Sequence, residues 1–127
     1  MPATASLKKV RISPRKVGVV AALVRGRLVD DAIIILENTP RRAAAEVKEA
    51  VKSAQANAEH NHSYKPETLR ITSISVTPGP QYKRWRPAAR GRALPFARRT
   101  SHIFVEVDGE KRQPKKPPAQ TESKETK

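Results

Sequence analysis

Hydrophobic residues recur through the first half of the chain at the spacing of amphipathic helices. The first segment opens at Ser13-Pro14, because serine caps helix N-termini and proline fits the first helical position, and it closes at Gly26. A second, shorter segment runs from position 30 or 31 to 38, and a third covers positions 41–61 behind a similar pair, Thr39-Pro40. This spacing predicts three helices, whose apolar faces are Val17, Val20, Ala21 and Val24; Ala32, Ile33 and Leu36; and Ala43, Val47, Ala50, Val51, Ala54 and Ala58.

Alternation of apolar and polar residues predicts three strands, over about 7–12, 69–77 and 102–107. In the second strand the apolar positions change from odd to even numbers. This change of phase indicates a β-bulge near Thr72-Ser73, since one extra residue returns the later side chains to the same face.

The segment between the last two strands carries charge of a single sign. Seven basic residues lie from Lys83 to Arg99, and no acidic residue occurs over positions 68–105. Protein surfaces that face water normally mix both signs. A block of one sign therefore indicates a partner that supplies the opposite charge.

The same segment is predicted to form an extended hairpin at about 79–101. Pro87 and Pro95 exclude a regular helix, and the flanking strands require the two ends of the segment to lie near each other. Arg90-Gly91-Arg92 lies midway and is the expected tip, since Gly91 gives the backbone the freedom a turn needs.

Aromatic residues are interleaved with the arginines of this segment, at Tyr82, Trp85 and Phe96. Aromatic rings stack on unpaired bases, and guanidinium groups bond phosphates in pairs. We therefore expect the hairpin to contact nucleic acid. The alternatives are an unstructured basic loop or a hydrophobic anchor on the domain.

Composition adds a strong overall charge to this picture. The 127 residues include 26 Lys+Arg against 12 Asp+Glu, a formal net charge of +14, and 37% are hydrophobic. One domain of residues 1–109 with a modest core is expected, followed by a disordered tail at 110–127, where proline and polar residues cannot form a core. Self-repulsion on this scale favours a polyanionic partner, nucleic acid first and an anionic membrane second.

Other classes of protein are disfavoured. The chain has no cysteine, so a disulfide framework or a cysteine metal site is excluded. No signal or transit peptide is visible, and the longest aliphatic run, 32–36, is far shorter than a membrane span. A cytoplasmic location is expected, although the sequence leaves open an organellar one.

The histidines do not indicate catalysis or metal binding. His60 and His62 lie two residues apart at a helix end, where too few ligands are near for a metal. His102 follows Ser101, but no third catalytic partner is marked, so RNA contact or strand packing is the better interpretation. No cofactor and no enzymatic activity are expected.

A second basic group brackets the first helix, at Arg11, Arg15, Lys16, Arg25 and Arg27. These residues are expected to form a second phosphate-binding patch, the alternative being an ordinary basic surface.

Several short motifs occur in order from about position 10 to 107 and together resemble the bacterial ribosomal protein L-twenty-two family. Any one motif is weak, but the ordered set is highly specific. The motifs are Arg11-Ile12-Ser13-Pro14-Arg15-Lys16, Arg25-Gly26-Arg27, Ser53-Ala54-Gln55-Ala56-Asn57-Ala58-Glu59-His60-Asn61, Gly79-Pro80, Pro87, Gly91-Arg92-Ala93 and Arg99-Thr100-Ser101-His102-Ile103.

The resemblance implies an α+β fold in which three helices pack on a small three-stranded antiparallel sheet, with a long projecting β-hairpin. It implies a structural protein that binds large-subunit rRNA, aids subunit assembly and contacts neighbouring ribosomal proteins. In this family the hairpin lines the nascent-peptide exit tunnel, so the nascent chain is an implied partner, and hairpin changes are linked to macrolide resistance. Ala88 and Pro95 depart from the usual pattern, and Pro95 is a candidate to distort the returning arm.

Sequence and resemblance together predict the residues of the RNA interface. The hairpin tip, Arg90-Gly91-Arg92, is expected to face the tunnel. The expected rRNA-binding residues are Arg11, Arg15, Lys16, Arg25, Arg27, Lys83, Arg84, Trp85, Arg86, Arg90, Arg92, Arg98, Arg99 and His102. Two other classes of function stay open at this point, a nucleic-acid binder acting away from the ribosome and a membrane-active cationic protein.

Overall fold

Three α-helices and five β-strands, with two short 3-10 turns between them, follow one another along residues 1–112, the part of the chain that the computed structural model describes. The helices are α1 (Pro14–Val24), α2 (Val29–Asn38) and α3 (Arg42–Asn61). The strands are β1 (Ala3–Val10), β2 (Arg70–Pro78), β3 (Tyr82–Pro87), β4 (Ala93–Arg98) and β5 (Ser101–Asp108).

Three strands form an antiparallel sheet in the order β1-β5-β2. β5 takes the centre because it alternates regularly and pairs along both edges. The ladder between β2 and β5 shifts register between Ile71 and Ser73, so Thr72 is the extra residue. The bulge predicted near Thr72-Ser73 is confirmed, and it keeps both Ile71 and Ile74 buried.

Two helices, α1 and α3, pack on the strands of this sheet, and α2 packs against α3 and α1, so that the three helices and the sheet enclose the core. α3 lies against β1 and β5 and beside α1 and α2, and α1 packs on β2. The buried face of α3 consists mostly of alanine, which lets the helix approach the sheet closely but buries little area per residue. The largest fully buried side chains include Leu69, Ile71 and Ile103. The predicted α+β architecture, three helices on a three-stranded antiparallel sheet, is confirmed.

The first strand begins earlier than the sequence predicts. It spans Ala3–Val10 rather than 7–12, with Ala3 and Ala5 buried opposite β5. Small and polar residues give little alternation signal, so pairing with β5 determines this strand. Lys9 adopts a positive φ of 59° at a register shift, which ends the ladder before Arg11.

Two helix boundaries also differ from the prediction. Thr39 does not cap α3; its Oγ1 donates to the Ile35 carbonyl at 2.7 Å and so closes α2. Arg41, in extended conformation, precedes α3 instead. α2 begins at Val29, before the predicted start at position 30 or 31, because Val29 N–H bonds to the carbonyl of Leu69, the residue that precedes β2.

The chain ends of the described region meet at one edge of the domain. Tyr64 is buried, and its hydroxyl donates to the Met1 carbonyl at 2.5 Å. Residues 110–112, assigned to the tail by the sequence, bond instead to the 63–65 loop, through Lys65 N–H to Glu110 and Arg112 N–H to Ser63. The rest of the predicted tail lies outside the described residues.

Candidate nucleic-acid interface

β3 and β4 pair with each other as a separate two-stranded ribbon that leaves the domain between β2 and β5. The six paired residues of each arm give a ladder of about 20 Å at about 3.3 Å per residue. The projecting hairpin is therefore confirmed, and all of its side chains are exposed except those of Ala88 and Phe96, which are half-buried.

Both hairpin prolines occupy positions where the ladder needs no N–H. The Ala88 N–H donates to the Arg92 carbonyl at 2.8 Å, and hydrogen-bonded and non-bonded pairs alternate from there. Pro87 and Pro95 consequently fall on non-bonded pairs. Pro95, the candidate for distorting the returning arm, stays in regular register opposite Trp85, and the ladder of the hairpin is continuous.

The register separates the hairpin into two chemically different faces, because directly opposed residues share a face and successive residues alternate. The cationic face carries Tyr82, Arg84, Arg86, Leu94, Phe96 and Arg98. The tryptophan face carries Lys83, Trp85, Pro87, Ala93, Pro95 and Ala97.

The tip has the backbone conformation that its residues allow. Arg90 and Gly91 both have positive φ, 59° and 66°, and together they reverse the chain between Ala88 and Arg92. Arg90 and Arg92 are both exposed there. The tip predicted at Arg90-Gly91-Arg92 is the turn of the hairpin in the structure.

Tight backbone contacts attach the hairpin to the domain. Gly79 N–H donates to the Thr100 carbonyl at 2.8 Å, and the buried Thr100 hydroxyl donates to the Pro80 carbonyl at 2.6 Å. A Cβ at Gly79 would lie only 2.6 Å from Thr100 Oγ1. His102 is half-buried beside this junction and accepts the Lys9 N–H at Nδ1, which leaves its Nε2 as the donor.

Two adjoining clefts of about 630 and 380 Å³ lie where the hairpin meets the domain. Three separate segments line them: the β1–α1 turn, the start of α3 and the lower arms of the hairpin. We name these clefts together the basic cleft; within residues 1–112 no acidic side chain lines it, and its cationic residues are Arg11, Lys16, Arg41, Arg42, Arg84, Arg98 and Arg99.

Helix electrostatics make this cleft unusual. The positive ends of the dipoles of α1 and α3 are at the N-termini, where acidic residues are favoured, yet neither first turn contains one. Both helix starts carry cations instead, among them Lys16 and Arg42. The first turn of α2 follows the ordinary rule with Asp30 and Asp31. Positive charge added to a positive helix end is stabilised when an external anion lies between them.

The predicted patch around the first helix is divided by the fold. Arg11 and Lys16 line the basic cleft, and Arg15 is exposed nearby on the first turn of α1. Arg25 and Arg27 lie beyond the other end of this 11-residue helix, about 16 Å away. The guanidinium of Arg25 donates to the Ile74 carbonyl at 2.9 Å and that of Arg27 to the Leu23 carbonyl at 3.0 Å. Arg25 therefore links the end of α1 to β2, and Arg27 bonds back onto the last turn of α1.

Sequence reasoning missed Arg41 and Arg42. Their signal was present, because two arginines directly after Thr39-Pro40 occupy a helix start that ordinarily favours acidic residues. Of the predicted residues on the hairpin, Lys83, Trp85, Arg86, Arg90 and Arg92 do not line the cleft.

The remaining polar groups of the described region show no metal-binding arrangement. In residues 1–112, no three His, Asp or Glu side chains are grouped as metal ligands would be. The His62 ring stacks on Tyr64 with centroids 5.8 Å apart. Within residues 1–112, no helix combines the length and the hydrophobicity that a membrane span requires.

Comparison with known proteins identifies relatives of this chain. Residues 5–108 match the family described as "Ribosomal protein L22p/L17e". The chain is 51% identical over 111 residues to "Large ribosomal subunit protein uL22" of Clostridioides difficile, which covers 87% of this chain and 100% of the relative. The proteins of the same name from Desulforamulus reducens and Herpetosiphon aurantiacus are 50% and 48% identical, covering 87% and 85% of this chain and 98% and 96% of themselves.

The family match spans both the domain and the hairpin, and the similar proteins are covered almost completely. The expectation that the chain is not an enzyme is confirmed, because the family is a structural one. The expected cytoplasmic location is likewise confirmed by these bacterial large-subunit relatives. The chain belongs to the ribosomal protein L22p/L17e family and is a structural constituent of the large ribosomal subunit.

Proposed function

We propose that this subunit protein binds large-subunit rRNA directly, through the basic cleft and the cationic face of the hairpin, and that this binding aids subunit assembly. The observation that carries the proposal is the basic cleft itself, seven cationic residues gathered from three segments in the described region. An RNA backbone supplies the closely spaced negative charges that such a cleft requires.

The position of the cleft gives RNA binding a structural consequence. Arg11 belongs to the β1–α1 turn, Arg42 to α3 and Arg99 to the base of the hairpin, so one stretch of backbone bound between them would hold the hairpin at a set angle to the domain. The ribbon shares no buried apolar core with the domain. Bound rRNA would therefore orient it, which is a contribution to assembly.

The hairpin is further proposed to line the nascent-peptide tunnel, with Arg90, Gly91 and Arg92 nearest the passing chain. Support comes from family membership together with the exposed cationic turn at the end of the ribbon. A third cleft of about 330 Å³ at this turn, between Ala88, Arg92 and Leu94, offers a surface for RNA or peptide. Neighbouring large-subunit proteins are the other expected partners.

The affinity for large-subunit rRNA, measured across salt concentrations, tests the binding proposal. With about six phosphate contacts, a plot of log affinity against log salt concentration should have a slope near −5 or steeper. Replacing Arg42 or Arg99 with glutamine should weaken binding and lower the slope by about one each, because each removes one phosphate contact. The matched control is Lys52→Gln, an exposed cation of α3 outside the cleft. A nearly salt-independent affinity would overturn the proposal.

Sedimentation separates this function from RNA binding away from the ribosome. The full chain should co-sediment with large subunits, and the Arg42→Gln/Arg99→Gln double variant should enter them more slowly. Equal incorporation of both proteins would argue against a role of the cleft in assembly.

A further inference from the structure

The three aromatic residues of the hairpin have different surroundings. Tyr82 and Phe96 lie on the cationic face, whereas Trp85 lies on the opposite one. Trp85 is also the most exposed of them, at 61% against 38% for Tyr82, and Phe96 is half-buried. The sequence pattern predicts the same role for all three rings, whereas the strand register places Trp85 on a different face from Tyr82 and Phe96.

Phe96 is already engaged within the protein. The guanidinium carbons of Arg86 and Arg98 lie 5.0 and 5.3 Å from the centre of its ring, a cation–π geometry. One arginine comes from the opposite strand and the other from its own. The ring therefore organises two phosphate-binding groups and has little free surface for a base.

Trp85 has two prolines as neighbours on its face of the ribbon. It is directly opposite Pro95 on a non-bonded pair, the kind in which side chains approach most closely, and Pro87 follows it on the same face. The other opposed residues of this face are alanines, so the indole is not overhung by larger side chains of the ribbon. A planar ligand can lie against such a surface.

The charges of the tryptophan face indicate the kind of ligand. Its single cation is Lys83, two residues before Trp85 and on the same side of the ribbon, whereas the cationic face has three arginines. No carboxylate occurs from position 68 to 105. An aromatic plane beside one cation, without nearby anions, suits a nucleotide, whose base stacks and whose phosphate pairs.

We propose that Trp85 and Pro95 form a stacking platform for an unpaired base of large-subunit rRNA, with Lys83 placed to pair the phosphate of that nucleotide. The inference rests on the proposed rRNA binding and deepens it. The cationic face takes the backbone, and the tryptophan face takes a base. A thin two-stranded ribbon brings both faces within reach of one folded RNA.

The chain offers a direct probe of this platform, since Trp85 is its only tryptophan. The full chain is titrated with large-subunit rRNA while indole emission and filter retention are followed together. Stacking should quench the indole emission and protect the indole from acrylamide. Both changes should have the same midpoint in rRNA concentration as filter retention.

Variants of the full chain complete the test. Trp85→Ala should weaken rRNA affinity by about fivefold or more, the range for loss of one stacked base, and Trp85→Phe should restore most of it. Ile34→Ala is the matched control, because this side chain is similarly exposed, at 57%, but lies on α2, outside the hairpin and the basic cleft. Its affinity should remain within about twofold of the unmodified chain.

The outcomes distinguish this inference from the function on which it rests. If rRNA is retained on the filter while the indole emission does not change, and Trp85→Ala binds rRNA as tightly as the unmodified chain, the platform is overturned. The proposed rRNA binding then remains intact. No retention at all would overturn rRNA binding and the platform together. A photocrosslinker at position 85 that captures nascent chains but never rRNA in translating ribosomes would show that the face meets protein, which also overturns the platform.

Discussion

Nδ1 of His102 accepts a hydrogen bond from the backbone N–H of Lys9, at 3.0 Å. Lys9 is in the left-handed region with φ of 59°, at the point where β1 leaves the sheet. The imidazole thus joins the end of β1 to the strand that returns from the hairpin. This bond fixes the turn from which Arg11 reaches the basic cleft.

Replacing His102 with alanine should lower the free energy of unfolding by about 0.5–1.5 kcal/mol, because the Lys9 N–H loses its acceptor. Urea denaturation measures this loss, with His60→Ala, exposed near the end of α3, as the control. The rRNA affinity of His102→Ala should fall as well, since Arg11 is less well held. Unchanged stability would mean that water replaces the imidazole without cost.

Two glycine substitutions should have opposite effects. Gly79→Ala should destabilise the protein by about 1–3 kcal/mol, because the new Cβ lies 2.6 Å from the buried Thr100 hydroxyl and 3.2 Å from the His102 ring. Gly18→Ala should stabilise it by about 0.5–1 kcal/mol, since Gly18 is inside α1 and, apart from its own stretch of helix backbone, nothing lies within 4 Å of the added carbon. Thermal unfolding compares the two, and equal shifts would contradict the close approach at Gly79.

The domain should fold without the hairpin. Pro78 and Ser101 are paired in the sheet, so a two-residue Asn-Gly turn between them can replace residues 79–100. Cooperative thermal unfolding is expected to persist, because the apolar core of the described region contains no residue of that segment. Loss of cooperativity would show that the ribbon belongs to the folding unit.

Neutralising the tip should alter translation more than assembly. Arg90→Ala with Arg92→Ala leaves the cations of the basic cleft in place, so incorporation into large subunits should be nearly normal. Pausing on particular nascent sequences, or sensitivity to macrolides that bind the tunnel, should change. Shortening the arm across Tyr82-Lys83-Arg84 should have the larger effect, because it moves the whole tip.

Crosslinking from position 91 in translating ribosomes tests the placement that underlies this expectation. Products with nascent chains or with tunnel rRNA are expected. If neither partner is captured, the tip lies elsewhere and the tunnel assignment is wrong.

Because of Tyr64, the free energy of unfolding should fall as the solution becomes alkaline. Burial raises the pKa of its phenol above the usual 10.0, and the nearby Asp108 carboxylate raises it further. The unfolded chain then loses this proton at lower pH than the folded one, so stability falls as pH rises through 10 and beyond. In urea titrations between pH 9 and 11, the Tyr64→Phe protein should not show this fall in stability. The Tyr82→Phe protein, whose substitution is exposed on the hairpin, should still show it.

The elements with local signals were predictable from the sequence. α1 follows from Ser13-Pro14 and Gly26, whose φ of 75° is the left-handed conformation expected after a helix. The hairpin follows from a proline-containing block of one charge between two strands, and the bulge at Thr72 from a change of phase. In each case the cause lies within a few neighbouring residues, so a short stretch of sequence contains it.

Only the tertiary structure decided which charges act together. Arg11, Arg42 and Arg99 are far apart in the chain and meet because the end of β1, the start of α3 and the hairpin base converge. Arg25 bonds instead to β2 and Arg27 to the last turn of α1, both outside the basic cleft. The register of the ribbon likewise separated Trp85 from Phe96. The sequence by itself determined that the protein is cationic, helical in its first half and extended in its basic segment. Long-range pairing decided where those charges and rings face, because packing and strand register depend on contacts that no local pattern encodes.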